Sequence, residues 1–393
     1  MFELLSVPLA AILFAIFGDK FKNKEDDRKK IQVFFEVSGI AIRSNEKLQY
    51  PVFIEQKEDD RSTTYVYRLP VGMPSKIIQK VEDVVSEGLN KPVRIQYDNY
   101  KLNIRVFYKD VPDKWDWEVG LIKKGKWQVP MGQSLERLIY HDFDKTPHMT
   151  LGGLTRMGKT VFLKNVFTSL TLAQPEHIHL YIIDLKGGLE FGSYKHLKQV
   201  DSVAEKPIEA FMVLSDILRK MEEKMQYMKA RHYTNVVETD MKERYFIIVD
   251  EGAELCPDKS MKKEKQKLLG ACQQMLSHIA RIGGALGFRL IFCTQYPTGD
   301  TLPRQVKQNS DAKLGFRLPT QTASGVVIDE SGLESIKSIP GRAIFKTDRL
   351  TEIQVPYISN EIMWKHLKQY EVKKHEDANT HENQSSNGDT CDD

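Results

Sequence analysis

Cysteine is scarce: Cys256, Cys272, Cys293 and Cys391 are the four among 393 residues, with no C-x-x-C pair and no Cys/His cluster at metal-ligand spacing. A disulfide framework and a zinc module are therefore excluded, and a reducing compartment fits. Cys272 and Cys293 read as small core residues. Long apolar runs are also nearly absent. Leu4 to Phe17 (LLSVPLAAILFAIF) is unbroken, but as a helix it reaches about 21 Å against a hydrocarbon core of about 30 Å. A multi-span membrane protein is excluded. Neither charge dominates, since 57 basic residues face 54 acidic ones for a net +3. That balance hides an asymmetry: the segment from His375 to Asp393 carries six carboxylates and no Lys or Arg, leaving 57 against 48, or +9, on residues 1–374. Such an excess permits an anionic partner.

What is present suits a folded chain. Hydrophobic residues make up 41% and charged residues 28%, enough for a real core, and the length suits two domains. Residues 1–30 form an apolar segment and basic linker. Glu3 precedes the apolar run, and Lys20, Lys22, Lys24, Arg28, Lys29 and Lys30 follow it. A cleaved secretory signal has the opposite flanks, so the segment reads as a membrane anchor or interfacial helix with the remainder on the cytoplasmic side, or else as an apolar helix packed on a partner or on its own protein. Residues 361–393 comprise a helix end and a disordered acidic tail, in which His375 and His381 are read as solvated.

Residues 31–125 read as a small α+β domain. Gln32–Val37, Tyr65–Leu69, Val93–Tyr97 and Leu102–Phe107 are strand-like, and Ser75 precedes a helical run from Lys76 to Leu89. This unit carries no nucleophile, metal or phosphate motif, which points to scaffolding or subunit contact.

Residues 126–360 carry the chemistry. Gly153 to Thr160 (GLTRMGKT) fits G-x-x-x-x-G-K-[ST], between the apolar segment Met149–Leu151 and a helical run beginning at Val161. Gly153 and Gly158 let backbone N–H groups turn inward around phosphate oxygens. Leu154, Thr155, Arg156 and Met157 complete the loop. Lys159 supplies an ammonium to the terminal phosphates of ATP, and Thr160 a hydroxyl to Mg²⁺. A second segment, Tyr245–Val249, reads as a buried strand ending in Asp250 and Glu251. Asp250 suits the magnesium shell. Glu251, expected on the opposite side of the strand, suits polarisation of an attacking water. Two further apolar strands end in polar residues: Ile178–Ile183 in Asp184, and Leu290–Cys293 in Thr294 and Gln295, the latter able to sense the terminal phosphate. With helical stretches Ile208–Met228 and Lys267–Ile282 between them, the alternation predicts an α/β fold, a P-loop NTPase (RecA-like) with a mostly parallel sheet flanked by helices.

The ordered motifs PHMTLGGLTRMGKT, IIDLKGG (with Asp184 and Lys186), VDEGAEL and IARIGGALGFRLIFCTQYP resemble those of the FtsK/SpoIIIE-type ATPases, ring-forming motors that pump DNA. YRLPVGMPSKIIQKVEDVV is similar to the small domain preceding the motor in that family. The resemblance implies an ATPase using Mg²⁺, DNA as a largely sequence-independent partner, and a homo-hexamer. A doubtful single anchor and one motor domain resemble the coupling ATPases of conjugative elements, implying DNA-transfer machinery as further partner at the cytoplasmic face of the membrane. The chain departs from the family pattern at Arg156 and Met157, and at Lys313, where a trans-acting arginine is common; Arg281 and Arg317 are the alternative trans candidates. No winged-helix guidance module is expected after Tyr357. The lysine-rich segment Lys259–Lys267 reads as a solvated helix face or a phosphate-backbone contact. Protein secretion, chromosome or plasmid segregation, and a nucleotide-bound scaffold are the competing functions. Detergent-free fractionation of the full-length chain checks the anchor: recovery with membranes is expected, and full solubility removes it.

Overall fold

The structure, a computed structural model, describes residues 27–44, 47–73 and 75–372. The expectations placed on Leu4–Phe17 and on the acidic tail with His375, His381 and Cys391 lie outside the described residues. Among the described residues, no helix is long and apolar enough to cross a membrane.

A first layered unit opens the described chain. Helix α1 (Asp27–Val37) precedes the short hairpin β1 (Ile42–Ser44) and β2 (Lys47–Gln49). Strands β3 (Val52–Glu58), β4 (Ser62–Arg68), β5 (Val93–Asp98) and β6 (Lys101–Phe107) then form an antiparallel sheet in the order β3-β4-β6-β5, with helix α2 (Ser75–Leu89) between β4 and β5. The strand expected at Gln32–Val37 is instead part of α1. Its Val and Phe favour strands locally, but Ile31, Phe34 and Phe35 recur at helical spacing and pack with Tyr67, Val81 and Ile104 in one core. Tertiary burial of that face overrides the weak β preference. Asp27 adds an acid to the first turn, where the helix dipole favours it, and pairs with Lys91 at 2.7 Å.

The second unit is a ten-stranded sheet. Its strands are β7 (Gln128–Gln133), β8 (Leu138–Asp142), β9 (Met149–Gly152), β10 (Ile178–Ile183), β11 (Val200–Ala204), β12 (Arg244–Val249), β13 (Phe288–Thr294), β14 (Ala312–Phe316), β15 (Arg342–Lys346) and β16 (Leu350–Gln354). They lie in the order β11-β10-β12-β13-β9-β14-β15-β16-β7-β8. From β11 to β14 every pairing is parallel; from β14 to β8 every pairing is antiparallel. The alternation of strand and helix thus accounts for the parallel part. The flank of β15, β16, β7 and β8 was not anticipated: its two hairpins, β7–β8 and β15–β16, are local, but they are joined by a β16–β7 pairing between segments far apart in sequence, which leaves no local signature.

Side chains alternate across the parallel strands, as a sheet covered on both faces requires. Leu180, Ile182, Phe246, Ile248, Ile291 and Cys293 face helix α3 (Lys159–Ala173) through Phe162, Val166 and Leu170. Tyr181, Ile183, Ile247, Val249, Leu290 and Phe292 face helices α4 (Pro207–Ala230) and α5 (Lys263–Leu286) through Leu214, Ile217, Cys272 and Leu276. Each fully buried aliphatic or aromatic side chain contributes roughly 1.5–3 kcal/mol of transfer free energy. Helix α6 (Arg304–Gln308) between β13 and β14, and helices α7 (Gln321–Ile328) and α8 (Asn360–Leu367) after β14, complete the unit.

Two fixtures hold the frame. At the N-terminal ends of β12 and β13, Asp144 receives Arg244 Nε at 2.8 Å and Arg289 at 2.8 Å. Arg289 is fully buried, and burial pushes its pKa down to about 10 while Asp144 pulls the other way. At the opposite side, the fully buried Arg342 of β15 donates to Gln354 Oε1, Glu352 Oε1, the carbonyls of Val111 and Pro112, and Asp113. It thereby ties the segment leaving the first unit to the second. Replacing Asp144 with Ala would leave two buried guanidinium groups sharing no carboxylate; a loss of about 3 kcal/mol or more is expected, measured by urea denaturation.

Candidate functional site

The parallel register brings the polar strand ends together. Cys293 and Thr294 of β13 lie beside Leu151 and Gly152 of β9, while Phe292 lies beside Val249 of β12. One residue further, Asp250 is level with Cys293 and Glu251 with Thr294. Strand spacing of about 4.8 Å puts β12 about 10 Å from β9, a distance that a triphosphate tail can bridge. All these ends are C-terminal, where open α/β sheets bind ligands.

From Gly152 the chain turns through the glycine loop into α3. Gly158 caps the helix in the left-handed region at φ 116°, and Arg156 adopts φ 64°. The loop is braced from the sheet: Leu154 N–H donates to Arg317 O at 3.2 Å, and Gly341 N–H donates to Met157 O at 2.9 Å. A Cβ at Gly153 would meet Phe316 Cβ at 2.5 Å, so the loop has no room for a side chain there. The arrangement points unpaired N–H groups of a helix start into a concave space.

That space is a cavity of about 840 Å³, with a wall that includes Leu154, Thr155, Arg156, Gly158, Thr160 and Val161. Lys159, Asp250 and Gln295 line it too. Lys159 is buried, and its Nζ donates to Gly153 O at 2.6 Å. Burial pushes its pKa down to about 8, against the pull of Glu251 and Asp250. Asp250 and Glu251 are both buried. Burial raises the Asp250 pKa, with Asp184 and Glu251 adding to the effect and Lys186 opposing it. Gln295 donates its backbone N–H to Glu251 Oε1 at 3.1 Å, which fixes that carboxylate while the Gln295 side chain faces the cavity.

Glu251 does not point away from Asp250 as strand alternation predicts. Strand β12 ends at Val249, so residues 250 and 251 are released from the pleat, and both carboxylates converge on Lys186. Among the described residues no group of three His, Cys, Asp or Glu side chains is arranged as metal ligands. A divalent ion here would draw chiefly on phosphate and water oxygens, as Mg²⁺ does, with Thr160 and Asp250 as its protein ligands. The donors are hard oxygens beside a helix start, and they fit that ion.

The trans candidates fall elsewhere. Lys313 is buried, donating to Ser310 O at 2.7 Å and pairing with Asp329 at 3.2 Å. Arg317 donates to Ile336 O. Arg281 lies in a separate polar cleft on α5, within 3.1 Å of His278 Nδ1. Lys259, Lys262, Lys263, Lys265 and Lys267 are exposed at the start of α5. Sequence reasoning missed the far wall of the cavity: Asp113 and Lys114 from the segment between the units, and Pro340, Gly341, Gln354 and Tyr357 from the antiparallel flank. Lys114 sits over the Tyr357 ring at 5.7 Å. These residues share no motif, and no local pattern distinguishes them.

Residues 112–246 match the FtsK/SpoIIIE family. The DNA translocase FtsK of Chlorobaculum tepidum is 26% identical over 252 residues, covering 59% of this chain and 30% of that protein. The DNA translocase FtsK of Leptospira interrogans is 26% identical over 305 residues, covering 73% of this chain and 30% of that protein. The chain thus spans 30% of the length of these curated relatives. Among solved structures, the pCW3 conjugation coupling protein TcpA, in a monomer form with ATPγS, overlays with a TM-score of 0.63 at 22% identity, covering 88% of this chain and 99% of that one. The cytoplasmic domain of the type VII secretion ATPase EccC of Thermomonospora curvata overlays with a TM-score of 0.53 at 19% identity, covering 64% of this chain and 32% of that one. The overlays show the P-loop ATPase fold.

The Lys159 pKa gives a pH prediction. Phosphate oxygens favour the charged ammonium, so nucleotide binding takes up a proton wherever free Lys159 is neutral, above about pH 8, and none at about pH 7. Affinity should therefore decline as pH rises past about 8. Titration calorimetry in buffers of different ionisation enthalpy measures that uptake.

Proposed function

We propose, from the FtsK/SpoIIIE domain that residues 112–246 match, that the chain is an ATP-driven DNA translocase. The observation that carries the reading is the convergence of the glycine loop, Lys159, Asp250 and Gln295 around one cavity, with buried Glu251 held just behind its wall by the Gln295 N–H and Lys186. Loop N–H groups and Lys159 hold the phosphates. Thr160 and Asp250 would hold Mg²⁺, which supplies neutralisation of phosphate charge when bound. Glu251, held by the Gln295 N–H, accepts the proton of the attacking water. Gln295 contacts the terminal phosphate and, through its own backbone, passes displacement to Glu251. The base end lies against Pro340, Gly341 and Tyr357, beside the segment that Arg342 anchors.

The working form is a homo-hexamer on the cytoplasmic face of the membrane, coupling ATP turnover to DNA transfer in conjugation. The overlay with the conjugation coupling protein TcpA along 99% of that chain supports the conjugation part of this reading. DNA contacts are mainly to phosphates, so binding weakens steeply with salt and varies little with sequence. The exposed lysines at the start of α5 suit such contacts. The overlay with EccC favours protein secretion as second reading; crosslinking that recovers a secreted protein instead of DNA would establish it.

Two measurements test the proposal. Glu251→Gln should lower ATP hydrolysis at least about 100-fold while sparing ATP binding. ATP turnover by the wild-type chain should rise with duplex or single-stranded DNA at low salt and lose that stimulation as salt rises; a rate indifferent to both nucleic acids counts against DNA as the cargo.

A further inference from the structure

Lys186 is a charged cavity residue, in contact with the acid pair, that the reading above leaves without a task. It sits in the turn after β10, and the turn is built to hold it. Fully buried Asp184 accepts the Lys186 N–H at 3.3 Å and the Phe191 N–H at 3.2 Å. Gly187 and Gly188 follow in the left-handed region, at φ 81° and 68°. The backbone therefore doubles back, and Nζ of Lys186 lies 3.2 Å from Asp250 Oδ2 and 3.4 Å from Glu251 Oε2. The Lys186 side chain is 34% exposed, whereas those of Asp250 and Glu251 are 3% and 6% exposed. Lys186 and Asp250 both line the cavity, and the ammonium lies between the two carboxylates and bridges them.

Asp184, Asp250 and Glu251 face two lysines here, Lys159 and Lys186. Lys159 already donates to the loop carbonyl of Gly153, so Lys186 is the cation that bridges the pair. Lys186 occupies one oxygen of Asp250, Oδ2, so a divalent ion on that carboxylate would sit close to the ammonium, and two cations so near each other repel strongly in a cavity with buried walls. A triphosphate changes the balance, because it carries its own negative charge to which the ammonium can move.

We propose that Lys186 is a cation gate: it competes with Mg²⁺ for the Asp250/Glu251 pair, so the site refuses the bare metal and admits it only together with nucleotide. The gate deepens the ATP-site reading and rests on it. Its consequence is an ordered site, in which the carboxylates are neutralised by protein until a complete substrate arrives.

Manganese, followed by its electron paramagnetic resonance signal, tests the gate on the full-length chain. Wild type, Lys186→Met, Lys186→Arg and the double variant Lys186→Met/Asp250→Asn are titrated with Mn²⁺ alone and with Mn²⁺ plus ATPγS, with circular dichroism as the folding check. Lys186→Met should bind bare Mn²⁺ at least about tenfold more tightly than wild type. Lys186→Arg should stay close to wild type, and Asp250→Asn should cancel the gain. Lys186→Gln carries the same comparison should the Met variant not fold. Equal affinity of wild type and the neutral variants for bare Mn²⁺, with Mn²⁺·ATPγS bound normally, overturns the gate alone. Failure of wild type to bind Mn²⁺·ATPγS overturns the ATP-site reading and the gate with it.

Discussion

Parallel pairing of β9, β13 and β12 is the constraint on which the site depends. Because β13 lies between the strand that launches the glycine loop and the strand that ends in Asp250, three chain reversals deliver polar groups to one edge at matched heights. A one-residue slip would turn Asp250 and the core residues before it to the other face. The burial of Ile247, Ile248, Val249, Ile291 and Phe292 on their respective faces forbids that slip. The same hydrophobic packing that stabilises the sheet therefore sets the geometry of the chemistry.

Charge is the second organising quantity. Asp250, Lys159 and Lys186 line the cavity and Asp184 and Glu251 are buried beside them, all with little access to water except Lys186. Burial of unpaired charges is costly, and each group here has a partner: a backbone N–H, a loop carbonyl or an opposite charge. The arrangement is satisfied as it stands, yet its partners are replaceable by phosphate and a divalent ion. A comparable balance at the other end of the strands, Asp144 between buried Arg244 and Arg289, serves as a brace.

Much of this was legible in the sequence because its signals are local. G-x-x-x-x-G-K-[ST] encodes a turn and a helix start. Runs such as YIIDL and YFIIVD encode buried strands with polar ends, and the helices from Pro207 and Lys263 announce themselves by periodic apolar residues. The leading segment misled where two local signals competed: the Val and Phe of α1 favour a strand, and the spacing of Ile31, Phe34 and Phe35 favours a helix. Burial against the first sheet decided between them. The antiparallel flank was illegible, since β7 and β16 pair across more than two hundred residues and nothing in either strand names the other.

By itself, then, the amino-acid sequence determined the glycine loop, the acidic end of β12, the polar end of β13 and the alternating α/β order, each a pattern of propensity or spacing within a few residues. Tertiary structure alone decided that Glu251 converges with Asp250 on Lys186, that Lys313 and Arg317 are engaged within their own subunit, and that Asp113, Lys114 and Tyr357 close the far wall. Those outcomes depend on where strands end, on sheet register and on which distant segments pack together. They are properties of the assembled fold, in which packing and charge are balanced over the whole chain at once.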